Sequence, residues 1–575
     1  MSTSRDEGDR LDLLLADAEE RRPVLDDGLP SEAAQQGPRP KKANHREKPD
    51  WRRDNKDPND LKAQHWGVIA PEGRTGDRLL EATTPLIRLR EAEQGAPAKI
   101  YRVPSEMTAR QAVEWTDSVY WSEATDEEDR PLYLLMLGDL HEVQAELQHT
   151  LANGSLVGRI HFANAEGEAD LDGYAAYAEK VARYAREGTA FDTPDMAFFV
   201  ARDGTTATLT GDAKLVRPSL EASQQAFAKG KLPAAAVRAF EAETVDDLLA
   251  AGAGERPSVL LSVSHGMGAP RKGWSPEEAQ RRQGALILDR DEVLDAERLL
   301  GQRFLPGGLW FCLACYGGGT PSVSAYHTWL SQLAKEGAWG GKADAVLKSL
   351  PQPGQRPFIA AMPQAALRNP EGPLGVIGHL DLAWTYGFTS SKDLSESRKS
   401  RILPALHALV AEARAGVGLS MLLRFYRETN HALMTSFQDE EDARQQGRRD
   451  PTDRIHRGHL WMLRNDLRGY VLLGDPAARL PLKQLAPKAA EAAPPEVFTN
   501  SAGLNVENAP AGPEAVKAEA PGALLQTSEK EEAVLAMLQG DEAPRAIAAR
   551  AGVSLKVLWQ WVDAYRAGGR ERLAK

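Results

Sequence analysis

Cysteine is almost absent: the 575 residues hold two, both in Phe311-Cys312-Leu313-Ala314-Cys315. That excludes a disulfide framework and a four-cysteine zinc site. No apolar run approaches the ~20 residues that span a bilayer. The densely charged start, MSTSRDEGDRLDLLL, has no basic segment leading into an apolar one, so secretion is not signalled. A cytoplasmic protein without a membrane partner is the expectation. A net charge of −12 argues against a chain built throughout to coat nucleic acid. P-loop, G-x-S-x-G and dinucleotide fingerprints are missing, and His141-Glu142 lacks the second histidine of a zinc-peptidase helix. No metal and no cofactor are expected.

What is present is a globular composition, 42% hydrophobic and 26% charged, in a chain too long for one ordinary core. Residues 1–60 mix charged blocks with Pro, Gly and Gln and read as a flexible arm. Over residues 61–483, short apolar runs bounded by Gly, Pro or Asp alternate with helical periodicity, the pattern of a parallel sheet covered by helices. Strands are expected at 66–70, 100–103, 132–137, 196–201, 259–264, 309–314, 358–362, 376–378 and 470–473, with a helix over 171–187. An Ala/Pro/Glu-rich linker follows at 484–527, then a compact helical module at 528–575. No internal repeat is visible.

Two apolar runs carry the chemistry. Val259-Leu-Leu-Ser-Val-Ser264 leads into His265-Gly266-Met267-Gly268, and Leu309-Trp-Phe-Cys-Leu-Ala314 delivers Cys315 into Tyr316-Gly317-Gly318-Gly319. Both side chains would stand at carboxyl ends of strands, where open parallel sheets bind ligands. A thiol at its ordinary pKa is mostly protonated at neutral pH, and a neighbouring imidazole can favour the thiolate or protonate a leaving group. The backbone N–H groups of Gly266 and Cys315 are the natural donors to a developing oxyanion. Cys312 reads as a small buried hydrophobe.

SHGMG and LACYGGG resemble the His-Gly and Ala-Cys-x-Gly signatures of caspases, gingipains and related bacterial caspase-like peptidases, and the two residues are about 50 apart, as in caspases. Leu313 stands where caspases carry Gln, which makes the gingipain type the closer resemblance. Segments 131–139, 157–160, 375–384 and 474–480 are also similar to that type. The resemblance implies an α/β fold, a caspase-like three-layer α/β/α sandwich with a mostly parallel sheet. It further implies a cysteine endopeptidase in which His265 and Cys315 form a dyad acting on a protein or peptide substrate. In that fold loops at strand ends build the substrate pocket, so Met362, Asp381 and Trp384 are candidates by position; an acidic floor would select Arg or Lys. The alternative is a catalytically inactive caspase-like scaffold fused to a regulator.

In the C-terminal module a helix is expected over 528–539, a second opening at Pro544 and a third capped by Ser554. The segment resembles the homeodomain-like helix-turn-helix of transposases, which implies Lys556, Trp559, Gln560, Arg566 and Arg570 as contacts to DNA. From Gly540 onward seven Lys/Arg face four Asp/Glu, a small basic excess. A three-helix adaptor that docks a protein partner shares the same core pattern, so both partners stay open.

Overall fold

The computed structural model describes residues 57–483 apart from 123–124, 126, 165, 270–272, 290–291, 338–345, 348–349, 353 and 391–395. It also describes two short paired strands, Arg10–Leu11 and Leu29–Pro30, and some residues between 530 and 562. The expected linker at 484–527, and most of the arm, lie outside the described residues. The chain divides into two compact units, Met1–Lys488 and Ala489–Lys575.

Ten strands form the central sheet of the first unit: β1 (Trp66–Pro71), β2 (Lys99–Val103), β3 (Tyr133–Leu137), β4 (Leu156–Ile160), β5 (Asp195–Val200), β6 (Ala236–Ala239), β7 (Ser258–Val263), β8 (Leu309–Leu313), β9 (Gly375–His379) and β10 (Tyr470–Gly474). Their spatial order is β2-β1-β3-β4-β10-β9-β8-β7-β5-β6. Neighbours among β1–β4 and among β5–β9 are parallel, while β10 runs antiparallel to β9. The two ends therefore repeat one arrangement, with β5, β6, β7 and β8 ordered among themselves as β1, β2, β3 and β4 are. No such repeat is visible in the sequence, because strand order is a property of pairing rather than of residue identity.

Burial on both faces explains the continuous apolar runs. Val68, Ala70, Leu135 and Leu137 enter one hydrophobic cluster, whereas the alternate residues Ile69, Leu134 and Met136 enter another. Helices cover both faces, giving a three-layer α/β/α architecture. Among them is Leu171–Glu187, with the bounds its periodicity predicts; Asp170 caps its first turn by accepting from Gly173 N–H.

Three elements differ from expectation. Strand β4 is fully buried despite Arg159, whose guanidinium donates to the Gly138 and Asp139 carbonyls and to Gln148. Strand β6, with sequence AVRA, is a half-exposed edge strand with no apolar run. Of the expected strand 358–362 only Phe358–Ile359 is extended; Ala361–Arg368 is a helix with Pro363 in its first turn, where the missing N–H costs nothing.

In the second unit the described residues from 530 to 562 are largely helical, and Ala533, Ile547, Ala548 and Leu558 bury one another. Lys556, Trp559, Gln560, Arg566 and Arg570 lie outside the described residues.

Candidate active site

Strands β7 and β8 are adjacent and in register from Val259↔Leu309 to Val263↔Leu313, and Ser264 N–H extends the ladder to the Leu313 carbonyl. Trp310 Nε1 donates to Ser262 Oγ at 2.8 Å and pins the pair further. His265 and Cys315 therefore leave neighbouring strands at the same level. Beyond β7, His265–Gly266 pairs antiparallel with Leu286–Asp289, which pairs with Glu292–Leu294, making a small three-stranded sheet over the strand ends.

That small sheet presses directly on the cysteine. A Cβ added at Gly266 would stand 1.8 Å from the Cys315 carbonyl oxygen, and one at Gly284 would stand 2.2 Å from the Tyr316 carbonyl oxygen. Only glycine permits this backbone-to-backbone approach. The Met267 N–H donates to the Ala285 carbonyl, which sets the phase of the pairing. In an antiparallel ladder alternate residues turn their N–H groups outward, so that of Gly266 points away from its partner strand.

Past Cys315 the chain turns sharply: Tyr316 adopts φ 57°, a left-handed conformation that a bulky residue enters only at a cost. The turn is clamped from β9, with Tyr316 N–H donating to the Asp381 carbonyl and Gly318 N–H to the His379 carbonyl, both at 2.9 Å. His379 itself is buried, with Nε2 2.9 Å from the Asp466 carbonyl, and burial pushes its pKa down to about 4; it is a neutral structural residue.

His265 has partners that its own sequence neighbourhood does not reveal. Nε2 lies 2.8 Å from Thr205 Oγ1 and 3.7 Å from Asp203 Oδ2, both on the segment that follows β5. Burial acts to raise the Asp203 pKa, but donation from the Thr208 hydroxyl and from the Thr205 N–H and hydroxyl outweighs it and holds the carboxyl below its usual range. With Nε2 occupied on this side, Nδ1 is the nitrogen left for chemistry. Asp203-Gly204-Thr205, just past the expected strand at 196–201, was the available signal, but nothing in the sequence places it beside a histidine 60 residues away.

Cys315 accepts at Sγ from Ala383 N–H at 3.3 Å, and its thiol reaches the Ala383 carbonyl at 3.5 Å. Burial pushes its pKa up to about 11; the Ala383 N–H opposes this, and the charges of Asp381 and Asp466 add to it. Burial therefore favours the protonated form of the resting thiol. Cys312, wholly buried within β8, is pushed up to about 12 by burial.

His265 and Cys315 line one cavity of about 410 Å³ together with Val263, Leu313, Val346, Leu382, Trp384 and Phe388. Of the three residues expected in a substrate pocket, the structure brings only Trp384 to it. Met362 is buried in the core, because it lies on a helix rather than at a strand end. Asp381 is sealed behind the cavity, accepting from Ser324 Oγ and from the N–H groups of Ala325 and Leu382, with its pKa pushed up to about 6 by burial. A second buried carboxyl, Asp466, holds the same loop through Trp384 N–H and Gly387 N–H, and burial pushes it up to about 7. Trp384 packs against Tyr326 and Trp329, forming an aromatic wall beside the thiol. Among the described residues no group of three or more His, Cys, Asp or Glu stands where it could hold a metal ion, and no helix is long and apolar enough to cross a membrane.

No family model matches the chain, and no curated protein matches it in sequence. Solved structures similar to it include the Arg-specific cysteine proteinase gingipain R, at 12% identity and a TM-score of 0.42, covering 73% of this chain and 78% of that one. A complex of the pro- and mature domains of RgpB from Porphyromonas gingivalis is similar at 11% identity and a TM-score of 0.41, covering 72% and 79%. At that distance the chemistry of the site rests on its own residues.

Proposed function

We propose that this chain is a cysteine endopeptidase with Cys315 as nucleophile and His265 as its proton acceptor and donor. The observation that carries the reading is the backbone contact of Gly266 on Cys315, which brings the imidazole-bearing and thiol-bearing strand ends together on one cavity. The Sγ proton passes to His265 Nδ1 as Sγ bonds to the scissile carbonyl carbon. The oxyanion so formed meets the N–H groups of Gly266 and Cys315, preorganised donors of the kind that stabilise such charge. Collapse expels the amine, which takes the proton from His265, and water then hydrolyses the thioester. Asp203, through Thr205 and at 3.7 Å, orients the imidazole and opposes its positive charge. The likeness to a cysteine proteinase agrees with this reading.

One observation favours the inactive-scaffold alternative: the thiol is turned to the Ala383 carbonyl, in surroundings whose burial raises its pKa. In the peptidase reading, substrate displaces that contact and proton transfer accompanies attack. The second unit, separate and helical where described, serves as a recruitment module for DNA or for a protein partner. Incubation of the protein and of Cys315→Ala and His265→Ala variants with pooled peptides, read by mass spectrometry, decides between the readings. Cleavage lost in both variants supports the peptidase; no cleavage by the parent protein, with DNA and cell extract supplied as activators, supports the scaffold.

A further inference from the structure

We propose that the cavity beside Cys315 takes an uncharged apolar side chain, so that the preferred residue on the acyl side of the scissile bond is Leu, Met or Phe rather than Arg, Lys, Asp or Glu. The proposal rests on the peptidase reading for its role in cleavage, but as a statement about binding it stands on the cavity alone.

When a carbonyl carbon sits against Sγ, the side chain on its acyl side projects into whatever space adjoins the cysteine. Among the described residues that space is the cavity of about 410 Å³, ample for a leucine or phenylalanine side chain. None of its described lining residues is Asp, Glu, Lys or Arg. Val263 and Leu313 come from the strand ends, Val346 from the segment after the cysteine loop, and Leu382, Trp384 and Phe388 from the loop after β9.

Among the described residues three carboxyl groups lie nearby, and each is committed elsewhere. Both oxygens of Asp381 are occupied, Oδ1 by Ser324 Oγ and Leu382 N–H and Oδ2 by Ala325 N–H. Asp466 gives one oxygen to Trp384 N–H and the other to Gly387 N–H, and is fully buried. Burial raises both pKa values, which further weakens them as counter-charges. Asp203 turns to Thr205, Thr208 and His265. A guanidinium or ammonium entering the cavity would lose its hydration without gaining an acidic partner among the described lining residues, a penalty that an apolar side chain escapes while gaining from burial.

The inference is tested with peptides differing only at the acyl-side residue. Their kcat/KM is measured on the full chain, and their equilibrium binding on Cys315→Ala, which keeps the cavity but cannot form the thioester. Leu, Met and Phe peptides should exceed Arg, Lys, Asp and Glu peptides by ~10–200-fold in both measurements, the range that apolar pocket contacts discriminate. Val346→Asp, which adds a carboxylate at a half-buried wall position, should shift the ranking towards Arg and Lys. Arg or Lys ranking first with the unmodified cavity, in cleavage or in binding, overturns the proposal and leaves the peptidase reading intact. The apolar ranking in binding without any cleavage supports the cavity assignment and counts against the peptidase reading. Peptides neither bound nor cleaved overturn both.

Discussion

Gly266→Ala is the substitution that most sharply exposes how this site is built. The new Cβ would lie 1.8 Å from the Cys315 carbonyl oxygen, 2.7 Å from its carbonyl carbon and 2.9 Å from its nitrogen, all backbone atoms that no rotamer change can remove. Ordinary contact begins near 3.4 Å, so the strand bearing His265 must retreat from Cys315 by roughly 1.6 Å. A displacement of about 1 Å between reacting groups can cost on the order of 100-fold in rate, so kcat/KM should fall at least ~100-fold. Overpacking costs ~1–3 kcal/mol, so the fold should survive with a lowered Tm. The assay is kcat/KM on a cleaved peptide with Tm measured on the same preparation. Gly458→Ala is the control: its Cβ meets nothing within 4 Å on an exposed helical turn, so activity should be unchanged and stability should rise by up to ~1 kcal/mol. Wild-type kcat/KM in Gly266→Ala would refute the close-approach reasoning.

Asp203→Asn keeps the shape of the His265 partner but removes its charge, so kcat should fall ~100-fold with KM little changed, and Asp203→Glu should restore part of it; steady-state kinetics on the three proteins decides. Alkylation followed by peptide mapping should label Cys315 in the folded protein at a rate climbing with pH towards about 11, while buried Cys312 reacts only after unfolding; equal rates would contradict the assignment. The carboxyl of Asp466 is raised from its ordinary value to about 7, so the folded state holds this proton more tightly than the unfolded chain. The resulting stability is fully present below the unfolded pKa near 4 and is lost as pH rises through about 7. In urea denaturation, the stability advantage of the wild type over Asp466→Asn should therefore shrink between pH 4 and pH 7; a constant difference would contradict it.

The strands that deliver the site were legible because they are buried on both faces: Val259–Val263, apolar except for Ser262, and Leu309–Leu313 are short runs leading to chemically distinctive residues. Leu171–Glu187 was legible because its apolar residues follow the helical period and its ends carry Asp170 and Gly188. Three kinds of feature were not legible. Arg159 hides a buried strand, because its compensating carbonyls come from the β3 turn and its other partner from a following helix. Asp203 and Thr205 reach His265 only through the adjacency of β5 and β7, which sequence separation conceals. Asp381 was a pocket candidate from its place after β9, but its oxygens are taken by Leu382 N–H of its own loop and by Ser324 Oγ and Ala325 N–H, some 56 residues away in sequence, which spacing conceals.

Acid-quenching the protein during turnover of a cleaved peptide and locating the acyl adduct by mass spectrometry shows whether Cys315 is the nucleophile. A thioester on Cys315, carrying the fragment amino-terminal to the scissile bond, is expected, and none in Cys315→Ala. Turnover with no adduct on Cys315, or turnover that persists in Cys315→Ala, would contradict that role.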